Sequence, residues 1–168
     1  MRILIFLIAL WLAGPLRAEP ISEADMKANY AYNFAVFTDW PESTRIGFTI
    51  CTFGDDRVAQ AMKRFDGRVV ERRRVIAARL SVAAGAGNCD VLFVGEREVA
   101  NLPRLLAELR DEPVLTVTDA PGSVPACFQL ALEGQRLVFD VNLDVCRRVN
   151  LMPQSKLLRL ARQVRRGG

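Results

Sequence analysis

Chemistry in this chain has to come from carboxylates, guanidinium groups, lysines and thiols, because the chain has no histidine. That excludes Ser-His-Asp and Cys-His nucleophilic mechanisms and any imidazole-ligated metal centre. The four cysteines, Cys51, Cys89, Cys127 and Cys146, contain no C-x-x-C spacing. Neither a zinc ribbon nor a thioredoxin-type dithiol is encoded. Asp39, Asp119, Asp140 and Asp144 are the carboxylates a divalent cation would use. They fall in different elements without ligand spacing, so no metal and no cofactor is expected. Three loops remain as candidates: Gly54-Asp55-Asp56, Gly95-Glu96 and Thr118-Asp119. Gly54, Asp55 and Asp119 are the residues best placed to touch a small ligand. The first loop is not a G-x-G-x-x-G and lacks a P-loop lysine, so it carries little nucleotide signal. Asp55, Asp56 and Asp119 serve equally well as helix and turn caps. No nucleophile can be paired with a base, and the chain is read as a non-enzyme.

The elements that would position these loops follow from periodicity. Ser22 is an N-cap, and Met26, Tyr30, Phe34 and Phe37 recur at helical spacing up to Trp40-Pro41. Residues 48–53 alternate as a strand; Gly54-Asp55-Asp56 turns into a helix over 58–65. Residues 69–76 read as an exposed or edge strand and 83–88 as a small-residue loop. Residues 90–95 form a short, fully apolar strand of the kind buried in a parallel sheet. A leucine-rich helix follows over 96–110, with Pro103 moving its start toward Asn101, and 113–118 is the next strand. Strand–helix–strand alternation predicts right-handed crossovers and a three-layer α/β sandwich with a mostly parallel sheet. A C-terminal β-hairpin over 126–132 and 136–141, with a turn at Gly134, is expected next. Helices over 143–149 and 154–164 close the chain. The last of these has a basic face of Lys156, Arg159, Arg162, Arg165 and Arg166. In an open sheet of this kind, ligands bind at the carboxyl ends of the strands.

Residues 1–18 read as a cleaved secretory signal peptide. Arg2 precedes an apolar run over 3–13, Gly14-Pro15 breaks it, and Ala18 is a small residue suited to cleavage. The run is too short for the roughly 20 residues of a membrane span. Removal of 1–18 takes away Arg2 and Arg17, lowering the formal charge from +4 to +2. That leaves little case for nucleic acid as a partner. Residues 19–168 then form a single exported domain. In an oxidising compartment an even number of cysteines suggests disulfides, and four allow three connectivities. The first helix carries more aromatic surface than one narrow stripe needs, which makes Tyr30, Phe37 and Trp40 the candidate partner-binding residues.

Several segments resemble one family. They are MKANYAYNFAVFTDWP at 26–41, TICTFGDD at 49–56, CDVLFVGE at 89–96, PVLTVTDAPG at 113–122 and RLVFDVNLDVCRRVNLMPQSKLLRLAR at 136–162. In this order they resemble the YfiR-like proteins over nearly the whole mature chain. The resemblance implies a periplasmic regulator that binds the periplasmic sensor domain of an inner-membrane diguanylate cyclase and holds it inactive, restraining cyclic-di-GMP and biofilm formation. It also implies that an OmpA-like outer-membrane lipoprotein can sequester the regulator, and that a homodimer can form. Cys51 and Cys89 match a family disulfide. Cys127 matches another family position whose nearby partner this chain lacks, and Cys146 is expected to pair with it instead. The competing expectations are a small-ligand module feeding a different membrane sensor and, less favoured, a carboxylate-dependent hydrolase using Asp55 or Asp119.

Overall fold

A computed structural model describes residues 21–122 and 125–166; the signal peptide expected at 1–18 lies outside the described residues. The first helix, α1 (Glu23–Val36), starts where Ser22 Oγ accepts the Asp25 N–H at 3.1 Å. It ends four residues before the expected Trp40. Thr38 Oγ1 donates to the Phe34 carbonyl at 2.7 Å and Trp40 Nε1 to the Ala35 carbonyl at 2.9 Å. Side chains therefore satisfy end carbonyls that a longer helix would have bonded. The chain is then free to form β1 (Thr38–Asp39).

β2 (Gly47–Phe53) leads through Gly54 into α2 (Asp56–Met62) and a 3-10 turn, Lys63–Phe65. β3 (Val69–Val70) and β4 (Arg73–Leu80) follow, joined by Glu71 and Arg72, both at positive φ. The expected edge strand is thus a hairpin. Its longer arm lies inside the sheet, and only the two-residue arm forms the edge. A 3-10 segment, Ala83–Asn88, replaces the expected loop before β5 (Val91–Val94). Another, Glu96–Asn101, precedes α3 (Leu102–Leu109), in keeping with Pro103 near the helix start. Then come β6 (Leu115–Thr118), the hairpin β7 (Phe128–Glu133) and β8 (Arg136–Asn142), and α4 (Leu143–Arg148).

The ending differs from the sequence expectation. β9 (Met152–Pro153) pairs antiparallel with β1, α5 (Ser155–Leu158) is one short turn, and β10 (Gln163–Arg165) runs parallel to β8. The long amphipathic helix expected over 154–164 does not form. Arg162 is the reason. Its backbone N–H donates to the Phe139 carbonyl at 2.8 Å, and its guanidinium grips Asp140 at 2.9 and 2.6 Å and Glu133 at 2.6 Å. That anchors an extended strand along β8, and Leu160 is left 74% exposed instead of facing a core.

The main sheet has the order β10-β8-β7-β6-β5-β2-β4-β3. β4, β2, β5, β6 and β7 are parallel; β3 is antiparallel to β4, and β8 is antiparallel to β7 and parallel to β10. The chain visits the parallel strands in the doubly wound order of flavodoxin-like folds, with the direction of travel reversing between β2 and β5. α1 and α2 cover one face over Phe34, Phe48, Ile50, Phe93 and Phe128. α3 and the 3-10 segment Ala83–Asn88 cover the other over Cys51, Leu92, Val94, Leu102 and Leu105. This is the expected three-layer α/β arrangement. At the amino-terminal end of the strands, Asp90 accepts from Thr49 N at 2.7 Å and pairs with Arg73 at 2.8 Å. Arg73 also lies over the Phe48 ring, so one buried ion pair clips β2, β4 and the start of β5 together.

Candidate functional site

The crevice outside the carboxyl ends of β2, β5 and β6 brings Gly54, Asp55, Gly95, Glu96 and Asp119 together, as the loop positions predicted. It comprises a space of about 760 Å3 beside the β2 and β4 ends and another of about 590 Å3 toward β6 and β7. Glu23, Lys27, Glu96 and Asp119 border both.

The structure gives each predicted residue a local job. Asp55 caps α2, accepting from Arg57 N at 2.9 Å and Val58 N at 3.1 Å. Asp119 accepts from Glu96 N at 2.7 Å and from Lys27 Nζ at 2.6 Å. Lys27 also holds Glu23, one helical turn earlier. Burial pulls the Lys27 ammonium down, but its hydrogen bonds and charge contacts with Asp119 and Glu23 outweigh that. Its pKa stands above the ordinary lysine value. Gly54 sits at φ 82°, and a side chain there would run into Glu98. A Cβ on Gly95 would lie 3.1 Å from the Gly54 carbonyl group. The two glycines let adjacent loops close on each other. Arg79 pairs with Asp56 at 2.6 Å on the rim. The arrangement can position a small polar molecule among mixed charges. Asp55 and Asp119 already accept two hydrogen bonds each.

Lys27 is the residue that sequence reasoning missed here. It lies 92 positions from Asp119, and no local pattern marks such a pair. The four aspartates considered for a metal are dispersed: Asp39 accepts from Gln154, Asp119 is held by Lys27, Asp140 is held by Arg162, and Asp144 lies in the first turn of α4. Among the described residues no group of three His, Cys, Asp or Glu side chains could hold a metal ion.

Two of the aromatic candidates, Tyr30 and Trp40, turn their polar atoms inward. Tyr30 donates to the Leu137 carbonyl at 2.9 Å and packs on Phe34 and Phe139. Trp40 stands edge-on to Phe48. Phe37 lies under the Lys156 ammonium, 4.0 Å from its ring centroid. All three are half-buried, so part of each ring stays at the surface.

Cys51 and Cys89 form a disulfide that ties β2 to the turn before β5, with their Cα atoms 5.8 Å apart. Cys127 and Cys146 are free, buried thiols in the structure, not the expected second bond. The hairpin sets Asn142 N on the Cys127 carbonyl at 2.9 Å, and α4 then carries Cys146 over Cys127. The Cys146 thiol faces the Cys127 carbonyl at 3.9 Å. A hydrogen bond to the Cys127 thiol, reinforced by burial, pushes the Cys146 pKa up.

The segments that carried the resemblance are therefore fold determinants. The N-F-x-x-F-x-x-W-P stretch builds the end of α1, and the closing stretch supplies the Arg162–Asp140 clasp. The family model described as YfiR/HmsC-like matches residues 24–162, from the first turn of α1 to that arginine. Its members are periplasmic regulators rather than enzymes, and among the described residues no helix is long and apolar enough to cross a membrane. With a matched span covering almost every described element, the chain belongs to the YfiR/HmsC-like family.

Proposed function

We propose that this protein is exported through its leader and represses an inner-membrane diguanylate cyclase by binding the cyclase's periplasmic sensor domain. Binding favours the sensor's inactive state and lowers cyclic-di-GMP output. The single observation that carries this reading is the family match over residues 24–162. The disulfide between Cys51 and Cys89 accords with an oxidising compartment. The proposed contact is the half-buried aromatic edge of α1 and β1, with Tyr30, Phe37 and Trp40, beside exposed Met152. Sequestration by an OmpA-like outer-membrane lipoprotein would release the cyclase. Self-association as a homodimer belongs to the same proposal. In that compartment Cys127 and Cys146 close into a second disulfide: each thiol gives up a proton and an electron to a disulfide oxidoreductase.

The test is affinity capture with the oxidised protein, residues 19–168, on detergent-solubilised membranes of its own host. Retention of a membrane protein with a periplasmic sensor and a cytoplasmic cyclase domain is expected. Retention must weaken with Trp40→Ala. Failure to retain any such protein removes the mechanism.

A second reading rests on the crevice at the β2/β5 switch point, where Gly54, Asp55 and Asp119 gather. A small polar ligand bound there would feed a different membrane sensor. A ligand-dependent rise in melting temperature that Lys27→Met removes would support it.

A further inference from the structure

A separate groove opens at the other end of the sheet, beside the amino-terminal end of β6 and between α3 and α4. It encloses about 340 Å3, at the small end of ordinary ligand sites. Leu106 and Leu109 from α3, Val114 ahead of β6, Val145 from α4 and Val149 just after it form apolar walls. Three charged side chains stand on the rim: Arg110, Arg148 and Glu112. Glu112 is drawn toward another cation, with Arg45 Nη2 at 4.0 Å. Among the described residues neither Arg110 nor Arg148 joins an ion pair. The groove thus combines an apolar body with two uncommitted guanidinium groups at its mouth.

The backbone supplies an independent observation. Arg110 is held at φ 51°, ψ −119°, a region that residues other than glycine avoid. Helices commonly place glycine at this position after their last turn. The chain places an arginine there instead, and strain kept at a residue lining a cavity points to a use for its side chain.

We propose that this groove binds a small apolar carboxylate of medium-chain fatty-acid size. Its carboxylate sits between Arg110 and Arg148, whose planar forks match that group. Its hydrocarbon lies against Leu106, Val114, Val145 and Val149. Thr116 lines the same groove and its Oγ1 accepts the Cys127 N–H at 2.9 Å. A bound ligand therefore lies next to the layer that holds the buried thiols. The proposal does not depend on the identity of the membrane partner.

Thermal unfolding of the purified protein tests it, with decanoate below its micellar range as the probe. Decanol and decyltrimethylammonium serve as comparisons. Decanoate is expected to raise the melting temperature in a saturable way, and the other two to leave it unchanged. An equal shift from decanol, or no shift from decanoate, overturns the proposal. Arg110→Gly relieves the positive φ, so the free variant is expected to melt above the parent yet lose the decanoate shift. Arg148→Gln sits on unstrained helix and is expected to weaken decanoate binding by about tenfold or more. Full decanoate binding retained by either folded variant also overturns it.

Discussion

Arg73 and Asp90 lie almost out of water, with their side chains 10% and 6% exposed. The pair is completed by the Thr49 N–H and the Gly47 carbonyl. Removing one partner strands the other charge, a loss that costs about 3–5 kcal/mol. Asp90→Ala should lower unfolding free energy by that order in urea titration. The double change Asp90→Leu with Arg73→Met should cost clearly less than Asp90→Ala alone, because no buried charge remains. Lys27 makes the opposite point about pH. Its folded pKa is raised above the ordinary 10.5, so its contribution is complete below the unfolded value. It is lost only as pH rises through the folded one. Lys27→Met should therefore lower stability evenly across the neutral range and flatten the alkaline limb of a stability–pH curve. The cysteines yield a third residue-level outcome. Oxidised protein, unfolded and treated with a maleimide, should show no labelled thiol if Cys127 and Cys146 have joined. Labelling at both would contradict that pairing. Closure of a loop of about 20 residues should add roughly 3 kcal/mol, so Cys146→Ser should melt earlier under oxidising conditions.

At the scale of elements, what could be read in advance was what local pattern encodes. The alternation at 48–53, the apolar run at 90–95 and the Asp55 cap each specify their element within a few residues. What could not be read depends on distant partners. β1 exists because β9 pairs with it, although Thr38 and Pro153 lie far apart in the chain. The closing segment shows the same cause with a larger effect. Leu157, Leu158, Ala161 and Val164 fit a helical stripe, yet Arg162 finds Asp140 on β8 and pulls the chain extended. The crevice was foreseen as a place, because strand ends define it. Its wiring was not, because Lys27 reaches Asp119 from another element. The role of β10 can be tested directly. Truncation after residue 160 removes Arg162 and leaves Asp140, only 6% exposed, without its bidentate partner. It also bares the edge of β8. The shortened protein should melt markedly earlier and associate at high concentration, as unpaired sheet edges do. Unchanged melting would mean that the clasp contributes little.

At the scale of the whole molecule, the protein is a doubly wound sheet stapled by a disulfide on one face and packed with aromatic rings on the other. Its titratable groups at the strand ends serve caps and bridges. The proposed function takes its direction from the family match and its compartment from the proposed leader. Both can be tested together by measuring cyclic-di-GMP in the host strain lacking the gene, with and without complementation. Deletion should raise cyclic-di-GMP. The full chain should restore the low level, and the same chain without residues 1–18, confined to the cytoplasm, should not. Unchanged cyclic-di-GMP on deletion, or full restoration by the leaderless chain, would contradict the account.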